Sequence, residues 1–202
     1  MVLPTRARSW KRRRRPRYTC TPPRQCSTPL VVLCRHDAAA VLETTRRWMA
    51  SIGLTLNVNK TRVCNARCEP FDFLGYTFGP MYSPRTGERY NGARPSQKAV
   101  ASITDNIRQR LRPGNQGPWD EVARDVNRTV RGWAAYFSYG SVSKARHAVE
   151  LHLYHTVRCF LRRRHKTAGS GSGQFPAQRV FGELGVVSFD PAYRRGSVHA
   201  SM

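Results

Sequence analysis

Acidic side chains are scarce in this chain. Twelve Asp and Glu stand against 35 Lys and Arg, a formal net charge of +23. An imbalance of that size speaks to partners and not to fold, because like charges repel in a compact state unless a polyanion or counterions offset them. Nucleic acid is the first candidate and an anionic membrane surface the second. Long apolar runs are also missing. No stretch approaches the roughly 20 residues that span a bilayer. The basic N-terminus is not followed by the apolar segment of a secretory signal. The expectation is a cytoplasmic protein with no membrane partner. The six cysteines (20, 26, 34, 64, 68 and 159) lack framework spacing. Cys64 and Cys68 could begin a zinc site, but no second ligand pair follows at a usual distance, so reduced thiols are expected. No Gly-rich phosphate loop, nucleophile elbow or endonuclease-type histidine cluster is visible.

What the chain does have is a basic, amphipathic centre. Val122, Val126, Val130, Trp133 and Phe137 form one apolar stripe at helical spacing. Arg124, Arg128 and Arg131 fall on a different face, and Gly140 is a natural stop. A helix is predicted over 119–139. A preceding helix, opened by Pro95-Ser96, runs to about Arg112 with Val100, Ile103, Ile107 and Leu111 as its stripe. A following one runs from Ser143 to about His165 on Ala145, Val149, Leu153, Val157 and Leu161. Its far end is Arg162-Arg163-Arg164-His165-Lys166. Residues 95–166 therefore read as a three-helix bundle with fourteen Lys or Arg against five acids. Asp125 and Glu150 read as helix-surface charges. His147, His152 and His155 lack a carboxylate at ligand spacing on their face and read as partly exposed histidines near phosphates, with no metal site.

Upstream, residues 1–28 hold nine Lys or Arg and no acid. They should form a disordered basic leader, either an arm lying on phosphates or a solvated tail. Leu30-Val31-Val32-Leu33-Cys34 reads as a buried strand, and Asp37 caps a helix from Ala38 to Met49. Leu54 to Val58 alternates as a half-buried strand, and Asn59 to Arg62 makes a polar turn. Phe71 to Phe78 is aromatic and β-prone, with Gly75 permitting close backbone approach. Such an α+β fragment over 29–80 is small for a core of its own. Its strands would carry unpaired edges, a hint of a partner sheet. Residues 81–94 read as a connecting loop or hairpin with Thr86-Gly87 at its tip. Residues 167–202 read as a flexible linker and tail, with an apolar patch from Val180 to Phe189 able to fold back.

Several of these segments, in this order, resemble one family. The Leu30–Cys34 run, Ser51 to Asn57 with Lys60-Thr61-Arg62, and Phe71-Asp72-Phe73-Leu74-Gly75-Tyr76 resemble the end of the palm of group II intron-encoded reverse transcriptases. Asn127-x-x-x-Arg131-Gly132-Trp133-x-x-Tyr136-Phe137 resembles the maturase-specific domain, or thumb, of the same proteins. The resemblance covers about residues 30–165 and implies an N-terminally truncated relative. The polymerase of that family uses paired aspartates holding two divalent metals. The corresponding positions here read Cys26-Ser27-Thr28-Pro29, without a carboxylate. The resemblance therefore implies no catalytic residue, no bound metal and no polymerase activity for the chain alone. Mg²⁺ would serve an intact polymerase or the intron ribozyme.

The same resemblance implies RNA as partner, either a group II intron or a template–primer duplex. DNA and a second chain completing the palm are further candidate partners. Candidate phosphate contacts are Lys60, Arg62, Arg124, Arg128, Arg131, Arg158, Arg162, Arg163 and Lys166. Phe71, Phe73, Leu74 and Gly75 would lie at a primer grip. Trp133, Tyr136 and Phe137 fall at core spacing, though they could stack bases. The fold class is α+β: a partial palm sheet and helix, then the three-helix bundle. The functional expectation is an RNA-binding maturase remnant that assists intron folding and splicing. The alternatives are a reverse transcriptase subunit that needs another chain for its carboxylates, and an inactive pseudogene product with non-specific polyanion affinity.

Overall fold

The computed structural model describes residues 24–25, 29–35 and 37–194. Most of the basic leader lies outside them. The chain divides into two compact units, residues 1–63 and 64–202.

In the first unit a two-residue strand β1 (Arg24–Gln25) pairs in parallel with β2 (Leu54–Thr55). Between them lies helix α1 (Ala38–Ser51). The Asp37 side chain accepts from the Ala40 N–H at 3.0 Å, satisfying one of the donors that a helix start leaves open. Met49 is the buried residue of α1, and Trp48 is exposed. A single 3₁₀ turn follows at Val58–Lys60. The strand expected at 30–34 does not form. Leu30, Val31, Val32 and Leu33 are all exposed. An apolar run becomes a strand only when a neighbour accepts its backbone hydrogen bonds, and the two-residue ladder of this unit supplies none to it.

The second unit opens with a three-stranded antiparallel sheet in the order β3 (Phe71–Phe73), β4 (Tyr76–Tyr82), β5 (Arg89–Pro95). The aromatic segment 71–78 is thus a hairpin and not one strand. Leu74 and Gly75 form its two-residue turn, with φ of 47° and 79°, and Phe73 pairs with Tyr76. Two consecutive positive φ values match the twist of the flanking strands, which is why the chain reverses here. The second hairpin turns at 83–88, where the Gly87 N–H reaches Ser83 O at 2.8 Å.

Three helices follow: α2 (Gln97–Arg110), α3 (Trp119–Tyr136) and α4 (Ser143–Arg164). Ser96 caps α2 through the Ala99 N–H at 3.1 Å. Gly140 lies within the α3–α4 connection with φ of 76°. The core joins Ile103, Ile107 and Leu111 of the first helix and its end, Val122, Val126, Val130 and Trp133 of the second, and Val149, Leu153, Val157, Phe160 and Leu161 of the third.

The same core also holds Phe175, Val180, Phe181 and Val186. Residues 175–189 are therefore part of the folded unit: the apolar patch folds back as its composition allowed, and this stretch is not the flexible tail expected over 167–202. The tail makes one π-helical turn at Arg179–Glu183 and ends in a short helix α5 (Pro191–Arg194). Two polar side chains hold it. Asn127 is buried; its Nδ2 donates to Gly185 O at 2.7 Å and its Oδ1 accepts from the Val187 N–H at 2.7 Å. Glu150 accepts from Ser188 Oγ and from the Phe189 N–H, the latter at 2.8 Å. The burial of three or four apolar side chains, at roughly 1.5–3 kcal/mol each, stabilises the fold-back more than a glycine-rich connection opposes it.

Candidate nucleic-acid interface

The cations of the bundle are unevenly shared. Helix α3 carries three Arg and three acids, so it is neutral as a whole. Helix α4 carries six Lys or Arg and the single Glu150, whose carboxylate is already occupied by the tail. Arg162, Arg163 and Arg164 sit in the last turn of α4, where the helix dipole favours positive charge.

Within α3, Arg124, Arg128 and Arg131 are exposed while Val122, Val126, Val130 and Trp133 are buried. Spacings of four and three residues place the three guanidiniums along one side, over about 10 Å of axis. Their electrostatic states differ. Arg128 pairs with Asp125 at 2.6 Å, and Asp125 also pairs with Arg110 of α2 at 2.9 Å. One carboxylate thus sits between two arginines, leaving a net +1. Arg124 Nε donates to the Asp120 backbone carbonyl at 3.2 Å, which orients it without neutralising it. Arg131 is in none of the ion pairs found among the described residues.

The α4 candidates also separate. Arg158 is half-buried, lies over the Tyr154 ring at 5.1 Å and reaches His155 Nδ1 at 3.2 Å. Arg162 is half-buried and donates to Gly169 O at 2.8 Å, closing the loop after the helix. These two arginines do structural work, and only part of each guanidinium faces water. Arg163 and Lys166 are exposed and form no ion pair among the described residues. Arg164, absent from the sequence-based set, donates to Gly117 O at 2.7 Å. Lys60 and Arg62 are exposed in the first unit.

The hairpin turn expected to resemble a primer grip is anchored on the end of α3. Tyr76 Oη donates to Tyr136 O at 2.9 Å, and Tyr136 Oη donates to Leu74 O at 3.0 Å. The Gly75 Cα faces the Phe137 ring so closely that an added Cβ would lie 3.0 Å from Cζ. Phe71 stacks on Phe78 with centroids 5.5 Å apart, and Phe73 is half-buried beside the turn. Leu74 is left 54% exposed at its tip. Trp133 and Phe137 are buried, but Tyr136 is 56% exposed, so it does not belong to the core. It ends α3 at the surface, where its hydroxyl can reach the turn.

Among the histidines, His152 turns toward α2. Burial, and then the nearby Arg108 guanidinium, hold its pKa below the usual imidazole value of 6.5, while a hydrogen bond with the Thr104 backbone and the Asp105 carboxylate act the other way. Among the described residues no three of His, Cys, Asp and Glu cluster closely enough to hold a metal ion.

A cleft of about 330 Å³ opens where α3, α4 and the returning tail meet, with Arg131 and Arg146 on its rim. Sequence reasoning missed Arg146, and it missed Asn127 and Glu150 as tail anchors. Asn127 could have drawn notice by its place at the head of the Asn127–Phe137 motif and on the apolar side of α3, between Ala123 and Val130. The sequence model of the group II intron, maturase-specific domain matches residues 100–175. No curated protein matches the chain.

Proposed function

We propose, from the match of residues 100–175 to the group II intron, maturase-specific domain, that the chain binds folded intron RNA through the α4 end of the bundle and assists intron folding and splicing. The observation that carries this reading is the state of α4: six cations, one acid, and that acid taken up by the tail. Fixed cations can offset phosphate repulsion where helices of the RNA approach, a task otherwise left to Mg²⁺. A-form RNA offers its backbone and 2′-hydroxyls more readily than its base edges, so recognition is by shape. The splicing chemistry belongs to the RNA, and the isolated chain does not polymerise DNA. Residues 29–80 are read as the end of a reverse transcriptase palm, and the setting as cytoplasmic.

The test is binding of the full chain to a group II intron and to an unrelated structured RNA of equal length, over a salt series. A preference for the intron that persists as salt rises supports the proposal. Equal affinity with a steep salt slope favours a non-specific polyanion binder instead. A second reading, a polymerase subunit completed by another chain, draws on the exposed Leu30–Leu33 run, an unpaired strand-type sequence. Template-dependent primer extension by the purified chain would overturn the non-polymerase reading outright.

A further inference from the structure

We propose that the cleft between α3, α4 and the tail receives one unpaired nucleotide of the bound RNA. The inference rests on the RNA-binding reading above and adds a second contact near the start of α4, with a specific ligand. Arg131 of α3 and Arg146 of α4 both line the cleft, and Val187, Phe189 and Tyr193 of the tail give it an apolar wall. Neither arginine is in an ion pair among the described residues. The Arg146 guanidinium is held over the Phe189 ring at 5.9 Å. Its Nη2 reaches Ala134 O only at 3.5 Å, and its Nε is buried with no hydrogen-bond partner.

Neither nearby carboxylate pairs with these arginines among the described residues. Glu150, one turn along α4, accepts from Ser188 Oγ and from the Phe189 and Asp190 N–H groups. Asp190 accepts from the Ala192 N–H. The result is a pair of cations short of acceptors beside an aromatic and aliphatic surface. Phosphate oxygens satisfy the first and a base face covers the second. The volume lies at the low end of the roughly 300–1,000 Å³ of small-molecule sites, so it suits a single nucleotide and rejects a duplex. A paired base would first have to leave its stack, at a cost in free energy. A bulged nucleotide has already done so.

The experiment compares the full chain binding to a short blunt RNA duplex and to the same duplex carrying a single-nucleotide bulge. The bulged duplex should bind about tenfold tighter. Phe189→Leu should cut that advantage below about threefold and leave blunt-duplex affinity within about twofold of the original, whereas Arg146→Gln should cut the advantage as far and also weaken blunt-duplex binding, since it removes one of the α4 cations. Circular dichroism checks that each variant folds, and Phe189→Leu serves should Arg146→Gln not. Equal binding of the two duplexes, or an advantage retained in a folded variant, overturns the inference while the RNA-binding reading stands. Failure of the blunt duplex to bind at low salt sinks the RNA-binding reading, and this inference with it.

Discussion

Tyr76 and Tyr136 fasten each other across the boundary between sheet and bundle: each hydroxyl donates to a backbone carbonyl on the other's side, at 2.9 and 3.0 Å, with ring centroids 6.2 Å apart. The Leu74-Gly75 turn is thereby fixed relative to α3. Each of Tyr76→Phe and Tyr136→Phe should cost about 0.5–1.5 kcal/mol in urea unfolding. Because both bonds hold one contact, the double variant should lose less than the sum. Strict additivity would show that the two bonds act independently.

Asn127→Ala should be the more damaging polar substitution. It removes two hydrogen bonds of 2.7 Å each and leaves Gly185 O and the Val187 N–H to find new partners. The expected loss is about 2–3 kcal/mol, with the tail opening first. Limited proteolysis followed by mass spectrometry should find new cleavage between Gly182 and Phe189. Unchanged protection of that segment would show that Glu150 alone suffices to hold it.

Charge changes should move RNA affinity in both directions. Arg163→Gln and Lys166→Gln should each weaken binding and reduce the salt slope by about one ion. Asp125→Asn should strengthen it, since it releases both Arg110 and Arg128 from the carboxylate they share. Affinity measured over a salt series is the check. A weaker Asp125→Asn variant would mean that the pairings orient the arginines productively.

The lowered pKa of His152 predicts a pH effect with a definite sign. The folded state disfavours the imidazolium, so the unfolded chain binds the proton more readily. Stability from this group is complete above the unfolded value of 6.5 and declines as pH falls from there through the lower folded pKa. His152→Gln should flatten that decline between neutral pH and about pH 5, as read from the urea midpoint. Arg108→Gln should shift the imidazole titration upward in NMR, since it removes a positive neighbour.

Two glycines should respond oppositely to alanine. At Gly140, φ is 76° and a Cβ would lie 2.1 Å from Ala93 O. Gly140→Ala should therefore destabilise by about 2 kcal/mol or more. Gly132 lies within α3 with nothing within 4 Å of a built Cβ, so Gly132→Ala should stabilise by about 0.5–1 kcal/mol. Thermal melts of the two variants decide the matter.

The sequence was most readable where periodicity and punctuation agree. The three bundle helices follow from stripes such as Val122, Val126 and Val130, and their starts from Ser96 and from the break at 113–118. It was least readable where one local pattern serves two outcomes. The aromatic alternation of 71–78 suits one strand as well as two, and only the Leu74-Gly75 pair in positive φ decides for a hairpin. Leu30–Leu33 has strand composition but lacks the neighbour that a strand requires. In the tail, Phe175, Val180, Phe181 and Val186 lie at intervals of five, one and five residues, which matches neither a helix nor a strand. Their burial depends on a groove built by residues far away in the chain. The interface was legible as a charge excess. Which cations are free was only partly legible: the Asp125–Arg128 pair lies three apart on one helix, but Arg110 as the second partner of Asp125 and the tail partners of Glu150 come only through tertiary contacts.

The tail's place among the buried side chains bears on where the gene can be cut. A stop codon just after the third bundle helix would look harmless on a helical wheel. It would in fact strip a wall from the hydrophobic interior, expose aliphatic surface to water and invite clumping. An expressed version that keeps its shape must therefore run past Phe189.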